Sequence, residues 1–279
     1  MDFLNPSKYA YLPIAEWIEK YVKEWLFEQR PLFKKISVPI DNVLNSLDFF
    51  FNFVPLPLVI IFFTFAAYKT NSLKFAIFTF LSLIFIDLLD IWEETMTTMA
   101  MIITAVIFCC FIGIPLGILS SRSNFFEASL RPALDVMQTI PSFVYLIPVV
   151  MLFGVGLTPG VVAIIIFALP PVIRLTNLGL RQVSKGVIDA GKALGCNKLT
   201  ILLKIELPLA LKSILAGVNQ TLMLSLSMAV IAALIGAGGL GLTVYVALGR
   251  LDIGQAFVGG LGIVLIAIIF DRITQKLVK

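Results

Sequence analysis

Seven apolar runs dominate this sequence, and each is long enough to cross a lipid bilayer as one α-helix. Of the 279 residues, 59% are hydrophobic and only 14% are charged, and the mean hydropathy is +1.00. Because a water-soluble domain cannot hide so much apolar surface, the composition predicts a protein that crosses the membrane several times. The runs cover residues 50–68, 74–91, 97–120, 139–157, 159–178, 208–234 and 254–271.

An amphipathic segment at residues 13–28 precedes these runs. One helical face carries Ile14, Ile18, Tyr21, Val22 and Trp25, and charged residues cover the other. Such a face suits the membrane–water interface, with packing on the same subunit as the alternative. The sequence therefore predicts an all-α multi-spanning membrane protein with about seven transmembrane helices and an N-terminal amphipathic helix. The expected division is an arm at 1–48, two peripheral transmembrane helices at 49–93, a core at 94–275 and a tail at 276–279.

Charges in the loops indicate an orientation. Lysines and arginines collect in alternate loops, around residues 69–74, 122–131 and 174–212 and in the C-terminal tail, whereas residues 87–94 are acidic. Basic loops stay in the cytoplasm. The pattern predicts a multi-pass protein of the cell membrane with its N-terminus outside and its C-terminus in the cytoplasm.

Several classes of function are disfavoured by the composition. The sequence has no histidine, and its three cysteines, Cys109, Cys110 and Cys196, lack the spacing of a zinc site or a disulfide framework. We expect no metal site and no catalytic residue, and the modest net charge of +4 does not indicate nucleic-acid binding. No apolar run carries a central charge, which disfavours a proton- or sodium-coupled carrier and implies an external source of energy.

Two glycine patterns are set aside as nucleotide sites. Residues 186–193 read GVIDAGKA, but Ala193 lacks the hydroxyl that a phosphate-binding loop uses to hold magnesium, and no strand precedes it. Residues 236–241 match GxGxxG, but they follow an apolar run rather than a β-strand. A flexible bend at the end of the sixth run is the expected structure there.

The longest polar interval in the C-terminal two thirds lies at residues 186–208 and has a recognisable spacing. Asp189, Ala190 and Gly191 are followed by Gly195, and then by Ile205 and the pair Leu207-Pro208. This resembles the EAA loop of ABC-importer permeases (EAA-x3-G-x9-I-x-LP), with Asp189 in place of Glu and Gly191 in place of the second Ala. The resemblance implies a short cytoplasmic coupling helix that docks on a separate ATPase subunit. An ordinary solvated loop is the alternative.

Four further segments, 137–156, 165–183, 207–232 and 249–275, resemble the permease subunit of the glycine betaine/proline (quaternary amine) ABC importers. The resemblance implies the type I ABC-importer permease fold and import of osmoprotectants. The implied partners are a second permease copy, a dimer of ATPase subunits that binds ATP and Mg²⁺ in place of this chain, and an extracytoplasmic substrate-binding protein. Open alternatives are a permease for another small solute such as choline, carnitine or an amino acid, an ATPase-independent carrier, and a membrane scaffold without transport.

Uncharged polar residues within the runs suggest a translocation path. We hypothesise that Ser142, Phe143, Tyr145, Asn219 and Gln220 line it, because amide dipoles and aromatic faces attract a cationic head group. The alternative is that these polar groups only hydrogen-bond neighbouring helices. Three local expectations complete the analysis: a second interfacial helix at 124–138, close helix contact at Gly113-x3-Gly117, and a break in the fifth run at Pro170-Pro171.

Overall fold

The computed structural model describes residues 13–278, and within that range the chain is helical almost throughout, with no β-strand. The all-α prediction is confirmed. In chain order the α-helices are α1 Ile14–Trp17, α2 Lys23–Phe53, α3 Leu56–Thr70, α4 Leu73–Leu88, α5 Trp92–Arg122, α6 Asn124–Thr139, α7 Leu146–Phe153, α8 Leu157–Arg181, α9 Lys185–Ala193, α10 Lys198–Ile201, α11 Leu207–Ala232, α12 Gly239–Gly249 and α13 Ile253–Val278. Short 3₁₀ segments cover Ser142–Tyr145 and Ala233–Ile235, and π-helical turns cover Ile18–Val22 and Leu202–Glu206.

Each of the seven apolar runs contains a helix, but they are not seven straight spans. Four helical stretches among residues 13–278 are long and apolar enough to cross a membrane alone: α5, α8, Lys198–Ile235 and α13. Two bent pairs bring the number to six, with angles of 104° between Glu19–Phe53 and α3 and 107° between α6 and Ser142–Phe153. Helix α4 has 16 residues, or about 24 Å at the usual helical rise.

The N-terminal helical segment is longer than expected. Helix α2 continues through residue 48 to Phe53 despite Pro31 and Pro39, and it ends before Pro55. The break between α2 and α3 lies at Val54–Pro55, and the division of the chain into an arm, peripheral helices and a core stays a prediction. The amphipathic face is exposed at Ile14, Tyr21 and Trp25, so no part of the chain that the structure describes covers it. The side chain of Ile18 lies outside the described residues.

The fourth apolar run, residues 139–157, is not a straight span. Helix α6 forms where the second interfacial helix is predicted, and it ends at Thr139, two residues before Pro141. Helix α7 ends at Phe153, and the Gly154 that follows it has a φ of 91°. The Gly156 amide then donates to the Ile235 carbonyl oxygen at 2.8 Å, at the far end of α11. The bent pair α6–α7 thus carries the chain from the end of α5 back to the start of α8.

The centre of the bundle is a layer of α5, α8 and α11 in very close contact. A Cβ on Gly113 would lie 2.3 Å from Val172 Cγ1, and one on Gly117 would lie 2.5 Å from Thr176 Cβ, which confirms the predicted close approach. Because both glycines pair with residues in increasing order, α5 and α8 run parallel. On the other side of α8, Gly217 of α11 meets the Pro171 carbonyl oxygen, with a Cβ-to-oxygen distance of 3.2 Å.

The predicted break at Pro170-Pro171 is wrong. Helix α8 runs without interruption from Leu157 to Arg181, and both prolines are buried inside it. A proline leaves a carbonyl unbonded, which is tolerated where neighbouring protein covers the backbone. The two prolines leave the Ile166 and Phe167 carbonyls without an amide partner. Helix α11 packs beside this stretch, and its Thr221 hydroxyl donates to the adjacent Ala168 carbonyl oxygen at 2.9 Å.

The predicted bend at residues 236–241 is present. Gly236 and Gly239 have φ values of 77° and 72°, a conformation that favours glycine. The short helix α12 follows it, and its Leu240 amide donates to the Thr98 hydroxyl of α5 at 2.8 Å. Sequence reasoning missed α12 because its 11 residues are fewer than a membrane span needs.

Candidate functional site

The polar interval between α8 and α11 forms a short helix, α9, with a tight turn after it. The Cys196 amide donates to the Gly191 carbonyl oxygen at 3.1 Å, and the Gly195 amide donates to the Lys192 carbonyl oxygen at 2.9 Å. This pair of bonds is the Schellman arrangement that ends a helix. It requires a left-handed residue, and Gly195 has a φ of +77°. We call residues 182–205, which include the predicted coupling helix, the coupling loop.

Gly191 faces the bundle. A Cβ at this position would lie 2.7 Å from Ile205 Cδ1 and 3.6 Å from Ile201 Cγ1. The glycine therefore lets α9 lie against the π-helical turn that leads into α11. Leu207 and Pro208 lie in the first turn of α11, directly after the π-helical turn Leu202–Glu206 and within the continuous helical stretch Lys198–Ile235.

The apolar residues in and next to α9 differ in exposure. Gly191 is buried and Ile188 is half-buried, whereas Ala190 is exposed. Val187 and Leu194 are also exposed, with 44% and 84% of their surface accessible. The outward side also carries Asp189, which is exposed and paired with Lys192 at 2.9 Å. We call Val187, Asp189, Ala190 and Leu194 the outer face of α9.

Glu206 is a functional candidate that sequence reasoning missed. Its side chain is only 3% exposed, and both carboxylate oxygens accept hydrogen bonds from the Arg122 guanidinium at the end of α5. Bidentate pairing of this kind fixes orientation as well as distance. The available signal was a carboxylate between the motif positions Ile205 and Leu207, just before a long apolar run.

Arg181, the last residue of α8, makes several contacts on the N-terminal side of α9. Its guanidinium donates at 2.8 Å to the Ser120 carbonyl oxygen, the Asn124 side chain and the Asn177 side chain. It also lies 3.0 Å from the Glu127 carboxylate of α6. The arginine therefore joins α5, α6 and α8 immediately before α9.

A family comparison identifies the chain on the basis of its C-terminal part. Residues 113–279 match the family model described as binding-protein-dependent transport system inner membrane component. That range includes α9, Ile205 and Glu206 and covers more than half of the chain.

The chain belongs to this permease family.

Relatives resemble the permease along nearly its whole length. It is 46% identical to the glycine betaine/proline betaine transport system permease protein of Escherichia coli, over 98% of this chain and 77% of that one. It is 43% identical to the glycine betaine/carnitine transport permease protein of Listeria monocytogenes, over 96% of each chain. The glycine betaine transport system permease protein of Bacillus subtilis is 41% identical, over 95% of this chain and 94% of that one.

A solved structure supports the fold. An inward-facing conformation of a methionine ABC transporter matches the permease with a TM-score of 0.59, covering 65% of this chain and 91% of that chain. The sequence identity is 22%, so the match concerns architecture alone. It agrees with the expected type I ABC-importer permease fold.

The structure gives the five predicted path residues of the permease different hydrogen-bond partners and different exposure. Asn219 donates to the Asp271 carboxylate of α13 at 3.3 Å and accepts a hydrogen bond from the Thr274 hydroxyl. Tyr145 donates to the Val136 carbonyl oxygen at 3.0 Å. Phe143 and Gln220 are exposed and Ser142 is half-buried. The role of these residues in a path stays a prediction.

Proposed function

We propose that this permease forms the membrane path of an ATP-driven importer for glycine betaine and related N-methylated or proline-type osmoprotectants. The relatives at 41–46% identity bear names that specify glycine betaine, proline betaine or carnitine. A trimethylamine N-oxide transport system permease protein of Pelagibacter ubique is 41% identical over 74% of this chain. These solutes share a small, methylated, polar nitrogen centre, which supports the substrate class.

The outer face of α9 is the observation that carries the proposal. It presents exposed Val187, Ala190 and Leu194 with the Asp189 carboxylate, while Gly191 holds the helix against Ile205. Exposed apolar side chains such as Val187 and Leu194 are typical of a surface that a partner protein covers. The partner is a cytoplasmic ATPase dimer, which binds ATP and Mg²⁺ and hydrolyses the nucleotide; the permease itself is not an enzyme.

Orientation and assembly follow from that docking. With α9 in the cytoplasm, the ends of α5 and α8 at Arg122 and Arg181 are cytoplasmic, and the basic loops obey the positive-inside rule. The N-terminus is then outside and the C-terminus inside. An extracytoplasmic binding protein delivers substrate at the opposite end of the bundle, and a second permease copy completes the path.

Within such a dimer, Ser142, Phe143, Tyr145, Asn219 and Gln220 line the path. Phe143 is 59% exposed and Gln220 is also exposed in one chain, which supports their facing a channel between two copies. An aromatic face next to an amide attracts a methylated ammonium group. Asn219 contributes by holding α13 against α11 through Asp271 and Thr274.

Uptake into proteoliposomes tests the proposed function. The permease is reconstituted with its ATPase, and labelled glycine betaine is supplied on a loaded binding protein. We expect ATP-dependent uptake that unlabelled proline betaine or carnitine reduces and that methionine does not. Uptake without the ATPase would contradict the ATP-driven mechanism, and competition by methionine alone would contradict the substrate class.

Asn219→Leu and Phe143→Ala test the path within the same assay. We expect both variants to lower uptake while the complex still assembles. Uptake equal to that of the unaltered permease would remove the altered residue from the path.

A further inference from the structure

The residues before and after α9 are both hydrogen-bonded to the C-terminal end of α5, and we call these two contacts the ties. Before α9, the Arg181 guanidinium donates to the Ser120 carbonyl oxygen of α5 at 2.8 Å. After α9, the Glu206 carboxylate accepts both of its hydrogen bonds from Arg122 of α5. Ser120 and Arg122 both lie in the last turn of α5. The loop therefore leaves from and returns to one point on the bundle.

Between those two ties, α9 does not pack tightly on α5. A cavity of about 700 Å³ lies there, lined by Ile118 and Arg122 of α5, by Ile188 and Lys192 of α9, and by Ile201 and Glu206 among others. Because the space beneath the helix is open, a displacement of α9 reaches α5 mainly through the ties.

Helix α5 cannot move independently of its neighbours. Its Gly113 and Gly117 bring the backbone against Val172 and Thr176 of α8. Gly217 brings α11 equally close to the Pro171 carbonyl oxygen on α8. Interiors packed this closely transmit displacement rather than absorb it. A pull on the end of α5 would therefore move the three-helix layer as a unit.

We propose that Arg122, Glu206 and Arg181 are positioning residues that transmit the movement of α9 to α5 and so set how much substrate crosses per ATP hydrolysed. The inference rests on the proposed docking of an ATPase at α9. It goes further because the three side chains lie outside the outer face of α9, and Glu206 is too deeply buried to touch a docked partner. Their effect is on coupling and not on recognition.

The burial of the Arg122–Glu206 pair decides which substitution can test it. The Arg122–Glu206 pair is bidentate and has one partner 3% exposed, so it fixes the start of α11 relative to α5. Removing Arg122 would leave the Glu206 carboxylate buried without its partner, which would also harm folding. Glu206→Gln keeps the volume and leaves no buried charge, so this variant separates coupling from folding.

The test uses the complete reconstituted complex of permease, ATPase and loaded binding protein. Three quantities are measured for each variant: the amount of ATPase that co-purifies, the rate of ATP hydrolysis and the uptake of labelled glycine betaine. We expect Glu206→Gln and Arg181→Gln to retain the ATPase and to lower uptake per ATP by about tenfold, within the range seen for residues that link two coupled sites. The matched control is Arg174→Gln. Arg174 lies in α8, as Arg181 does, but it pairs with Asp135 of α6 at 2.5 Å.

The results separate this inference from the proposed function. Uptake per ATP in Glu206→Gln and Arg181→Gln equal to that in Arg174→Gln would overturn the inference and leave the proposed function standing. An unaltered complex that binds no ATPase would overturn both. If Glu206→Gln does not assemble, Arg181→Lys decides, because lysine keeps the charge but cannot reach Ser120 and Asn124 together. A lowered ratio in that variant supports the inference, and an unchanged ratio contradicts it.

Discussion

The backbone of Gly191 lies against the side chain of Ile205, so that a Cβ on the glycine would stand 2.7 Å from the Cδ1 atom of the isoleucine. Both positions belong to the spacing that resembles the EAA loop. Their contact folds the coupling loop back onto the start of α11, and it orients the outer face of α9 away from the bundle.

Gly191→Leu should displace α9 from the π-helical turn, because a branched side chain has no space beside Ile205 and Ile201. Overpacking of this kind costs about 1–3 kcal/mol. We expect loss of ATPase co-purification with little change in the thermal unfolding of the membrane bundle. The measurement is ATPase recovery on affinity-tagged permease, followed by the unfolding midpoint in detergent.

Two controls accompany Gly191→Leu. Gly186→Leu places the same side chain in α9 at a position where a Cβ would meet only Ser184 Oγ, at 3.7 Å, so ATPase recovery should be normal. Gly191→Ala should also be tolerated, because the mobile end of the Ile205 side chain can shift. Equal loss in Gly186→Leu would show that bulk anywhere in α9 is harmful and that the contact with Ile205 is not the cause.

Gly195→Val should weaken the loop for a conformational reason. The residue has a φ of +77°, and a Cβ there would meet nothing within 4 Å, so steric bulk is not the obstacle. A left-handed conformation costs a side-chain-bearing residue about 1–2 kcal/mol. We expect faster proteolysis at residues 194–198 and reduced coupling. Asparagine tolerates this conformation better, and Gly195→Asn behaving worse than Gly195→Val would contradict the explanation.

Gly117→Ala tests the contact between α5 and α8. The added Cβ would lie 2.5 Å from Thr176 Cβ and 2.9 Å from the Ile173 carbonyl oxygen, and that backbone atom cannot move away cheaply. We expect destabilisation of about 1–3 kcal/mol, seen as a lower midpoint of thermal unfolding in detergent. Gly260→Ala in α13 is the control, since nothing lies within 4 Å of its Cβ position. A midpoint unchanged in both variants would mean that the layer is looser than the distances indicate.

Asp189→Ala should separate docking from stability. The carboxylate pairs with Lys192 at 2.9 Å, but 67% of its side chain is exposed. An exposed pair contributes less than about 1 kcal/mol. We expect normal thermal unfolding, reduced ATPase recovery and near-normal behaviour in Asp189→Glu. Lys192→Ala removes the same ion pair and keeps the carboxylate, so an equal loss there would transfer the role from Asp189 to the pair.

Local signals predicted the parts of this molecule that depend on chain periodicity or on backbone conformation. The apolar runs indicated where helices form, the spacing of residues 189–208 indicated α9 and its glycine turn, and the small residues at 113 and 117 indicated a close helix contact. The helices and the glycine turn are set by residues within a few positions of one another, whereas the contact at Gly113 and Gly117 also requires Val172 and Thr176 of α8. The error at Pro170-Pro171 has a different origin, because both prolines are buried inside an uninterrupted α8, and the local sequence does not show which segments pack around them.

The sequence by itself determined that the chain is a set of membrane helices with one long polar interval, at residues 186–208, that holds a short helix. Only the tertiary structure decided which end of α5 that loop is tied to, since Arg122 and Glu206 lie 84 positions apart and Arg181 reaches Ser120 across 61. It also decided that Asn219 hydrogen-bonds to α13 and that α6 meets the helical segment Ser142–Phe153 of the fourth run at 107°. The physical reason is that hydropathy and spacing report what one segment prefers, whereas a buried ion pair or a covered proline depends on which other segment fills the space beside it.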